Sequence, residues 1–302
     1  MGAPMARNLH AAGLLAGVWN RSREKAAALA AELELPAPAD LASLAAACSA
    51  IVVCVSADAD VRAVIEGLKP GLKKGALVID CSTVGAETAR QVHAELGRLG
   101  VSFLDCPVSG GVEGAKAATL AIMVGGDETA FVAARPLLEK LGRTITYMGA
   151  SGAGQAAKAT NQIMCAGIIQ AVAEAMAFAK AEGLPLDRLI ETLGKGAGSS
   201  WYFVNRAPFM ANERYPAGFR VRLHAKDLGI CRSMAGAHGA VLPVVESTLA
   251  EYARLIAAGH GDEDISSVYR LKSELFGDPH TRSPAAQPAS ALAPAPAPVQ
   301  PQ

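Results

Sequence analysis

A chain of 302 residues with 51% apolar content is long enough for two domains, each with a sizeable core. Lys plus Arg balances Asp plus Glu at 28 each, so there is no basic field to grip a phosphate backbone, which argues against a nucleic-acid binder. The six cysteines contain no CxxC pair, which argues for buried free thiols in a reducing compartment and against a disulfide framework or a metal site.

In chain order, the first element is a helix over residues 1–13, with Pro4 near its start and Gly13 at its end. LLAGVWN (14–20) reads as a strand, and Ser22 as the cap of a helix over 22–33. Further strands are expected at 50–55, 76–80, 101–106, 118–126 and 144–149, with helices at 85–99 and near 127–141. Strands alternating with helices of this length imply βαβ units, a mostly parallel sheet covered on both faces and a Rossmann-like doubly wound α/β domain over 1–150. From 154 to 181 the sequence is nearly unbroken helix former, a span of about 40 Å at 1.5 Å per residue. We read it as a spine leading into an all-α domain over 151–277, whose later segments carry only helical periodicities. The last twenty residues hold six prolines and no charge, so 278–302 is expected to be disordered, with docking as a polyproline helix the alternative.

No apolar run approaches the roughly 18 uncharged residues of a membrane span. The N-terminal stretch is a poor signal peptide because Asn8, His10 and several glycines interrupt it. Gly2 is a poor myristoylation site because Ala6 stands where Ser or Thr is wanted. The expected location is cytoplasmic.

An α/β domain of this type is expected to open with a strand and a glycine-rich turn, and this one opens on the helix. M-G-A-P-M-A-R-N-L (1–9) resembles the second half of the N-terminal signature of the β-hydroxyacid dehydrogenases, the 3-hydroxyisobutyrate dehydrogenase family. That signature runs strand, G-L-G-x-M-G, then x-x-M-x-x-N-L. The resemblance implies an NAD(P)-dependent oxidoreductase, with Gly2 as the third fingerprint glycine and Gly2 and Met5 beside the cofactor. The strand and first two glycines are absent. In a doubly wound sheet that strand is central, and losing four or five buried apolar side chains at roughly 1.5–3 kcal/mol each rivals a domain's whole stability of about 5–15 kcal/mol. The expectation is therefore a start codon assigned too late; a natural, inactive truncation is the alternative.

Four further blocks continue the resemblance over about residues 1–275. In D-C-S-T-V (80–84), Ser82 and Thr83 end a strand at the edge where cofactors bind, and the resemblance places them at the nicotinamide half; a Ser helix cap is the plain reading. In D-C-P-V-S-G-G (105–111), Ser109, Gly110 and Gly111 can close hydroxyl and backbone N–H groups on a small anion, and the resemblance assigns them the substrate's carboxylate. In G-A-S-G-A-G-Q-A-A-K-A-T-N-Q (149–162), Gly152 and Gly154 let the chain pass close to the first domain, and Lys158, Asn161 and Gln162 share one helical face. Lys158 lies among apolar neighbours where desolvation lowers a lysine pKa toward neutrality. The resemblance makes it the catalytic residue, with Asn161 and, less firmly, Gln162 as substrate ligands. In F-R-V-R-L-H-A-K-D-L (219–228), Lys226 is implied to reach over the cofactor, while His224 reads as a partly buried structural histidine and Asp264 as a helix cap.

Asn20, Arg21 and Ser22 end the expected second strand, where such folds contact the adenosine ribose. A neutral residue, a cation and a hydroxyl there favour the 2′-phosphate of NADP, with NAD possible. NADP leans toward reduction of a small carboxylate-bearing aldehyde, as in the glyoxylate, succinic semialdehyde and tartronate semialdehyde reductases of the family. Oxidative 3-hydroxyisobutyrate dehydrogenase chemistry is the alternative. Trp201, Tyr202, Phe203 and Arg206 are candidates to line the cleft. A homodimer or homotetramer is expected. A catalytically dead scaffold and a nucleotide-sensing regulator are readings from other classes, opposed by the intact Lys158, Ser109 and Thr83.

Overall fold

The computed structural model describes residues 1–277, so the tail expected to be disordered lies outside the described residues. Helix α1 (Gly2–Ala11) buries Met5 and Leu9, which are one turn apart and therefore on one face. Gly13, at φ +68°, then turns the chain. Residues 14–20 do not form the expected strand, because no neighbouring strand pairs with them and a ladder needs a partner for its N–H and C=O groups. Helix α2 (Arg23–Glu32) does begin after Ser22, but that side chain makes no capping bond. Asn20 Oδ1 instead accepts from the Ser22 N–H at 2.9 Å.

The rest of the first domain is α3 (Leu41–Ala47), β1 (Ala50–Val53), α4 (Asp58–Leu68), β2 (Leu77–Asp80), α5 (Ala86–Gly97), β3 (Ser102–Asp105), β4 (Val108–Ser109), α6 (Gly111–Lys116), β5 (Leu120–Gly126), α7 (Glu128–Leu138) and β6 (Gly142–Gly149). Strands β1, β2 and β3 run parallel, in a register that sets Val53 opposite Asp80 and Asp80 opposite Asp105. Strands β3 and β4 both lie antiparallel to β5, and β6 pairs parallel with it. Because β6 takes one edge of β5 along its length, β3 and β4 share the other.

Neighbouring residues in each strand point to opposite faces, so Val78 and Phe103 join Val61, Ile65 and Leu96 in one core. Ile79 and Leu104 join Met5, Leu9 and Phe131 in the other. The sheet is covered on both sides, as a largely parallel sheet requires.

Helix α8 (Ala153–Ala181) is 29 residues long, about 43 Å at 1.5 Å per residue. It packs on β5 and β6 at its start and on α10 (Trp201–Ala211), α11 (Val221–Gly236), α12 (Pro243–Ala257) and α13 (Tyr269–Glu274) beyond, with α9 (Leu186–Leu193) alongside α10. Ile169, Ala173 and Met176 carry its buried stripe into a core with Phe203, Leu228 and Tyr252. By length and composition alone α8 would pass for a membrane span, contrary to expectation, but half of its most apolar window is buried in this core.

Strand β1 ends the sheet: β2 pairs with one of its edges and, among the described residues, no strand pairs with the other. A cavity of about 1050 Å³ opens there, between β1 and residues 14–20.

Candidate active site

The carboxyl ends of β2 and β3 place two buried aspartates side by side, and the chain uses them differently. Asp105 accepts hydrogen bonds from the Gly152 N–H (2.8 Å) and the Gln155 N–H (3.0 Å). It thus supplies, from another element, the cap that α8 lacks in its own sequence, and sets a carboxylate at the positive end of a long helix. The glycines around it are there for space. A Cβ on Gly154 would sit 2.5 Å from both the Asp105 and the Met123 carbonyl oxygens, and Gly152 holds a left-handed φ of +90°. The close approach of this segment expected from the sequence is therefore observed.

Asp80 has fewer partners. Its Oδ1 accepts from the Ser82 N–H at 2.9 Å, while Oδ2 is buried with no hydrogen-bond partner among the described residues. Burial first, and the neighbouring Asp105 and Asp58 charges with it, push its pKa up to about 6. A carboxyl whose folded pKa is raised contributes stability below its unfolded pKa, and that contribution is lost as pH rises through about 6. Asp80→Asn is therefore expected to raise stability by about 2 kcal/mol at pH 8, the gain shrinking toward pH 4. Urea melts at the two pH values test this, and an equal effect at both would refute it.

The loop after Asp80 is held by the spine. Ser82 is not a helix cap, since α5 starts at Ala86 behind Gly85. Its hydroxyl accepts from the Val55 N–H (2.9 Å), tying the ends of β1 and β2. Gln155 spans this loop, donating from Nε2 to the Ser82 carbonyl (2.9 Å) and accepting at Oε1 from the Val84 N–H (3.1 Å). Lys226, on α11, donates to the Thr83 carbonyl at 2.6 Å and pairs with Asp227 at 2.7 Å. The second domain thus clamps the sheet edge at Ser82 and Thr83.

Lys158 is two turns into α8 and only 7% exposed. Burial lowers its pKa and the Asp227 carboxylate pulls it back up. Gln162 donates to Asp227 at 2.6 Å, and its Oε1 accepts from Asn161 Nδ2 at 2.7 Å. With both amide ends engaged and 1% exposure, Gln162 cannot take the expected substrate contact. It orients Asn161 and Asp227 instead. Asn161 is half-buried and also donates to the Cys165 thiol at 3.4 Å. The Tyr202 hydroxyl bonds the same thiol, so Asn161, Cys165 and Tyr202 form one hydrogen-bonded wall, and the Lys158 charge acts on its thiol. His224 is fully buried between the Tyr252 hydroxyl (3.0 Å) and the Gln162 carbonyl (3.2 Å), and burial depresses its pKa to about 4.

Other expected residues are held by contacts of their own. Met5 is 1% exposed and packed in the core, so its side chain anchors α1 and offers a cofactor no exposed surface. Ser109 pairs with Ala121 on β5, and Gly110 and Gly111 follow at φ +129° and +64°, opening α6. Among the described residues no hydrogen bond joins this loop to Lys158. Asn20, Arg21 and Ser22 stand at the far side of the sheet edge, Arg21 pairing with Asp60 at 2.9 Å while 86% exposed. Gly2 faces Cys54. Phe203 is core, and Arg206 is committed to the buried Asp264 at 3.1 Å and to the faces of Trp201 and Phe209. Asp264 caps its turn, as expected, through the Ser266 N–H at 3.0 Å.

Residues 1–149 match the family described as the NAD binding domain of 6-phosphogluconate dehydrogenase, and residues 152–272 match the NAD-binding domain of NADP-dependent 3-hydroxyisobutyrate dehydrogenase. The NAD-dependent L-serine dehydrogenase of Pseudomonas aeruginosa is 36% identical over 283 residues, which cover 90% of this chain and 94% of the relative. The chain belongs to the 3-hydroxyisobutyrate dehydrogenase family. It is an NAD(P)-dependent oxidoreductase acting on a small molecule, with a Rossmann-like domain and a helical one. Among solved structures of the family, the Mycobacterium tuberculosis 3-hydroxyisobutyrate dehydrogenase with L-serine superposes with a TM-score of 0.82 at 35% identity, covering 90% of this chain and 95% of that one. The complex of Psf3 with NADP+ and 2-OPP superposes with a TM-score of 0.81 at 27% identity, covering 90% and 96%.

Residues of this chain fit a nicotinamide dinucleotide at the carboxyl edge of the sheet. Thr83 and Lys226 meet at the Lys158 end, and the exposed guanidinium of Arg21 and the hydroxyl of Ser22 stand at the other.

Proposed function

We propose that the protein is an NADP-linked reductase of small aldehydes bearing a carboxylate, and that Lys158 is its general acid. The observation that carries this reading is the placement of Lys158: buried, pulled between desolvation and Asp227, one turn from Asn161, and beside the Thr83–Lys226 clamp. A bound nicotinamide supplies the hydride. Lys158 donates a proton to the carbonyl oxygen, Asn161 orients that oxygen through its amide, and Ser109 with the backbone of Gly110 and Gly111 receives the carboxylate. Thr83 and Lys226 hold the nicotinamide end, and closure of α11 onto the loop excludes water. Steady-state rates of NADPH oxidation across glyoxylate, succinic semialdehyde and tartronate semialdehyde test the reading; no turnover of any carboxylate-bearing aldehyde would remove it. A second reading, oxidation of 3-hydroxy acids such as L-serine or 3-hydroxyisobutyrate with NAD, is favoured by the relatives named for or bound to those compounds. Assaying the same panel in the oxidative direction separates the two.

Cofactor choice rests on Arg21 and Ser22. Among the described residues Arg21 is tethered only to Asp60, an ion pair at the surface worth about 1 kcal/mol or less, which a 2′-phosphate can displace. Arg21→Ala is expected to raise the KM for NADPH about tenfold or more, the loss of one charge-assisted contact, and to leave NADH nearly unchanged. Equal effects on the two cofactors would discard the phosphate contact.

A further inference from the structure

Hydrogen-bond polarity along α8 can be followed from a fixed end. Asp227 is a carboxylate and can only accept, so the Gln162 amide that bonds it at 2.6 Å must turn its Nε2 that way. That leaves Gln162 Oε1 to face Asn161, and Asn161 must answer with its own Nδ2, at 2.7 Å. The second Nδ2 hydrogen leans on the Cys165 thiol at 3.4 Å, a weak bond that a substrate's carbonyl oxygen can replace. Asn161 Oδ1 is then left without a partner among the described residues, on the helix face that carries Lys158.

Tyr202, the second residue of α10, is fixed in the same way. Its hydroxyl donates to Cys165 Sγ, and burial pushes the phenol and the thiol above their ordinary pKa values, so both keep their protons at neutral pH. A hydroxyl has one hydrogen, so the Tyr202 oxygen offers only lone pairs to anything else. Asn161 Oδ1 and the Tyr202 oxygen are therefore two acceptors joined through one thiol, both on half-buried residues. A hydrogen-bond donor satisfies them and a methyl group leaves them unpaired. Charge decides which donor fits. Asp227, the carboxylate that acts on Lys158, is already held by Lys226 and Gln162. An ammonium against this wall would meet neutral groups only, and burying an unpaired charge costs more than burying a hydroxyl.

We propose that Asn161, Cys165 and Tyr202 form a specificity site that accepts a hydroxyl on the carbon next to the reacting one. The preferred substrates are then 2-hydroxy-3-oxo acids and, in the reverse direction, 2,3-dihydroxy acids. This rests on the reaction proposed above and narrows it. A substrate with a methyl or a hydrogen at that carbon strands two polar atoms of the wall as water leaves, and a site built for a hydroxyl discriminates strongly against its absence.

The test measures kcat/KM over a matched set: 2-hydroxy-, 2-methyl- and unsubstituted 3-oxopropionate with NADPH, then glycerate, 3-hydroxyisobutyrate and L-serine with the oxidised cofactor. The hydroxyl-bearing member is expected to lead each series by about tenfold or more. Tyr202→Phe keeps the ring, removes one acceptor and should cut that lead about tenfold, through KM more than kcat. Cys165→Ser still accepts from both neighbours and should keep the lead within about twofold, whereas Cys165→Val frees the Tyr202 hydrogen and should lower it. A lead held by the methyl-bearing members, an equal loss on all substrates in Tyr202→Phe, or an unchanged preference in Cys165→Val would overturn the proposal. L-serine matching glycerate would overturn the choice of a hydroxyl over an ammonium. No turnover of any member would remove the reaction proposed above. The wall is then judged by calorimetric binding of glycerate and 3-hydroxyisobutyrate, where equal affinities overturn it and a tighter glycerate complex, weakened by Tyr202→Phe, upholds it.

Discussion

Lys158→Met is expected to lower kcat by about 10³-fold, within the 10²–10⁴ range of a lost general acid, while NADPH binding measured by fluorescence stays unchanged. Methionine is close to lysine in length and tolerates the apolar surroundings of this position, so the change removes a proton donor with little disturbance of packing. Asp227 keeps its partners Lys226 and Gln162 in the variant and is not stranded as an unpaired buried charge. Lys158→Arg is expected to be nearly as slow, because a guanidinium does not release its proton in this pH range.

The pH profile is the sharper check on that assignment. Burial lowers the Lys158 pKa, and the ammonium must be present to donate. Reduction is therefore expected to be fast below the lowered pKa and to fall as pH rises through it; oxidation should show the opposite limb. Asp227→Asn removes the charge that pulls the pKa back up, so the limb should move to lower pH. A Lys158→Met enzyme with normal kcat, or a limb that Asp227→Asn leaves in place, would show that the proton comes from another group.

Much of this site is written locally in the sequence. The i, i+3 and i+4 spacing of Lys158, Asn161 and Gln162 fixes them to one face of α8, because a helix leaves no other arrangement. Gly152 and Gly154 announce a close approach, since only glycine accepts the left-handed φ of one and the 2.5 Å gap of the other. What the spacing could not reveal is which partner each side chain meets. Gln162 looks like a substrate ligand until Asp227, 65 residues later, claims its amide. For Asp80, Asp105 and Gln155 the signal is fainter: two successive strands both end in Asp-Cys, at 80–81 and 105–106. A charged residue repeated at the buried end of adjacent strands needs partners, and the glycine-rich start of a long helix is where they lie.

Residues 14–20 differ from the expected strand for another reason. Their β-like composition gives a preference, but a strand exists only when a neighbour takes up its hydrogen bonds.

Asp105→Ala is expected to destabilise the protein by about 2–5 kcal/mol, the opposite sign from Asp80→Asn one strand away. The two carboxylates share a register, a depth and a raised pKa, and differ in what they hold. Removing the Asp105 side chain strands the Gly152 and Gln155 N–H groups in the interior, each a loss of about 1–3 kcal/mol, and deletes the carboxylate that caps the start of α8. Relief of the buried charge offsets part of this, which sets the upper end of the range. The functional loss should exceed the loss of stability. Lys158 stands one turn beyond Gln155, and Gln155 also holds the Ser82–Val84 loop, so a shift of α8 moves the amine and the loop together. A displacement of about 1 Å between reacting groups lowers rates about 10²-fold. Chemical melts combined with kcat at a temperature where the variant remains folded separate the two effects. A variant as stable as the parent, or one destabilised but catalytically normal once folded, would mean that α8 is positioned by its packing on β5 and β6 and not by the carboxylate at its end.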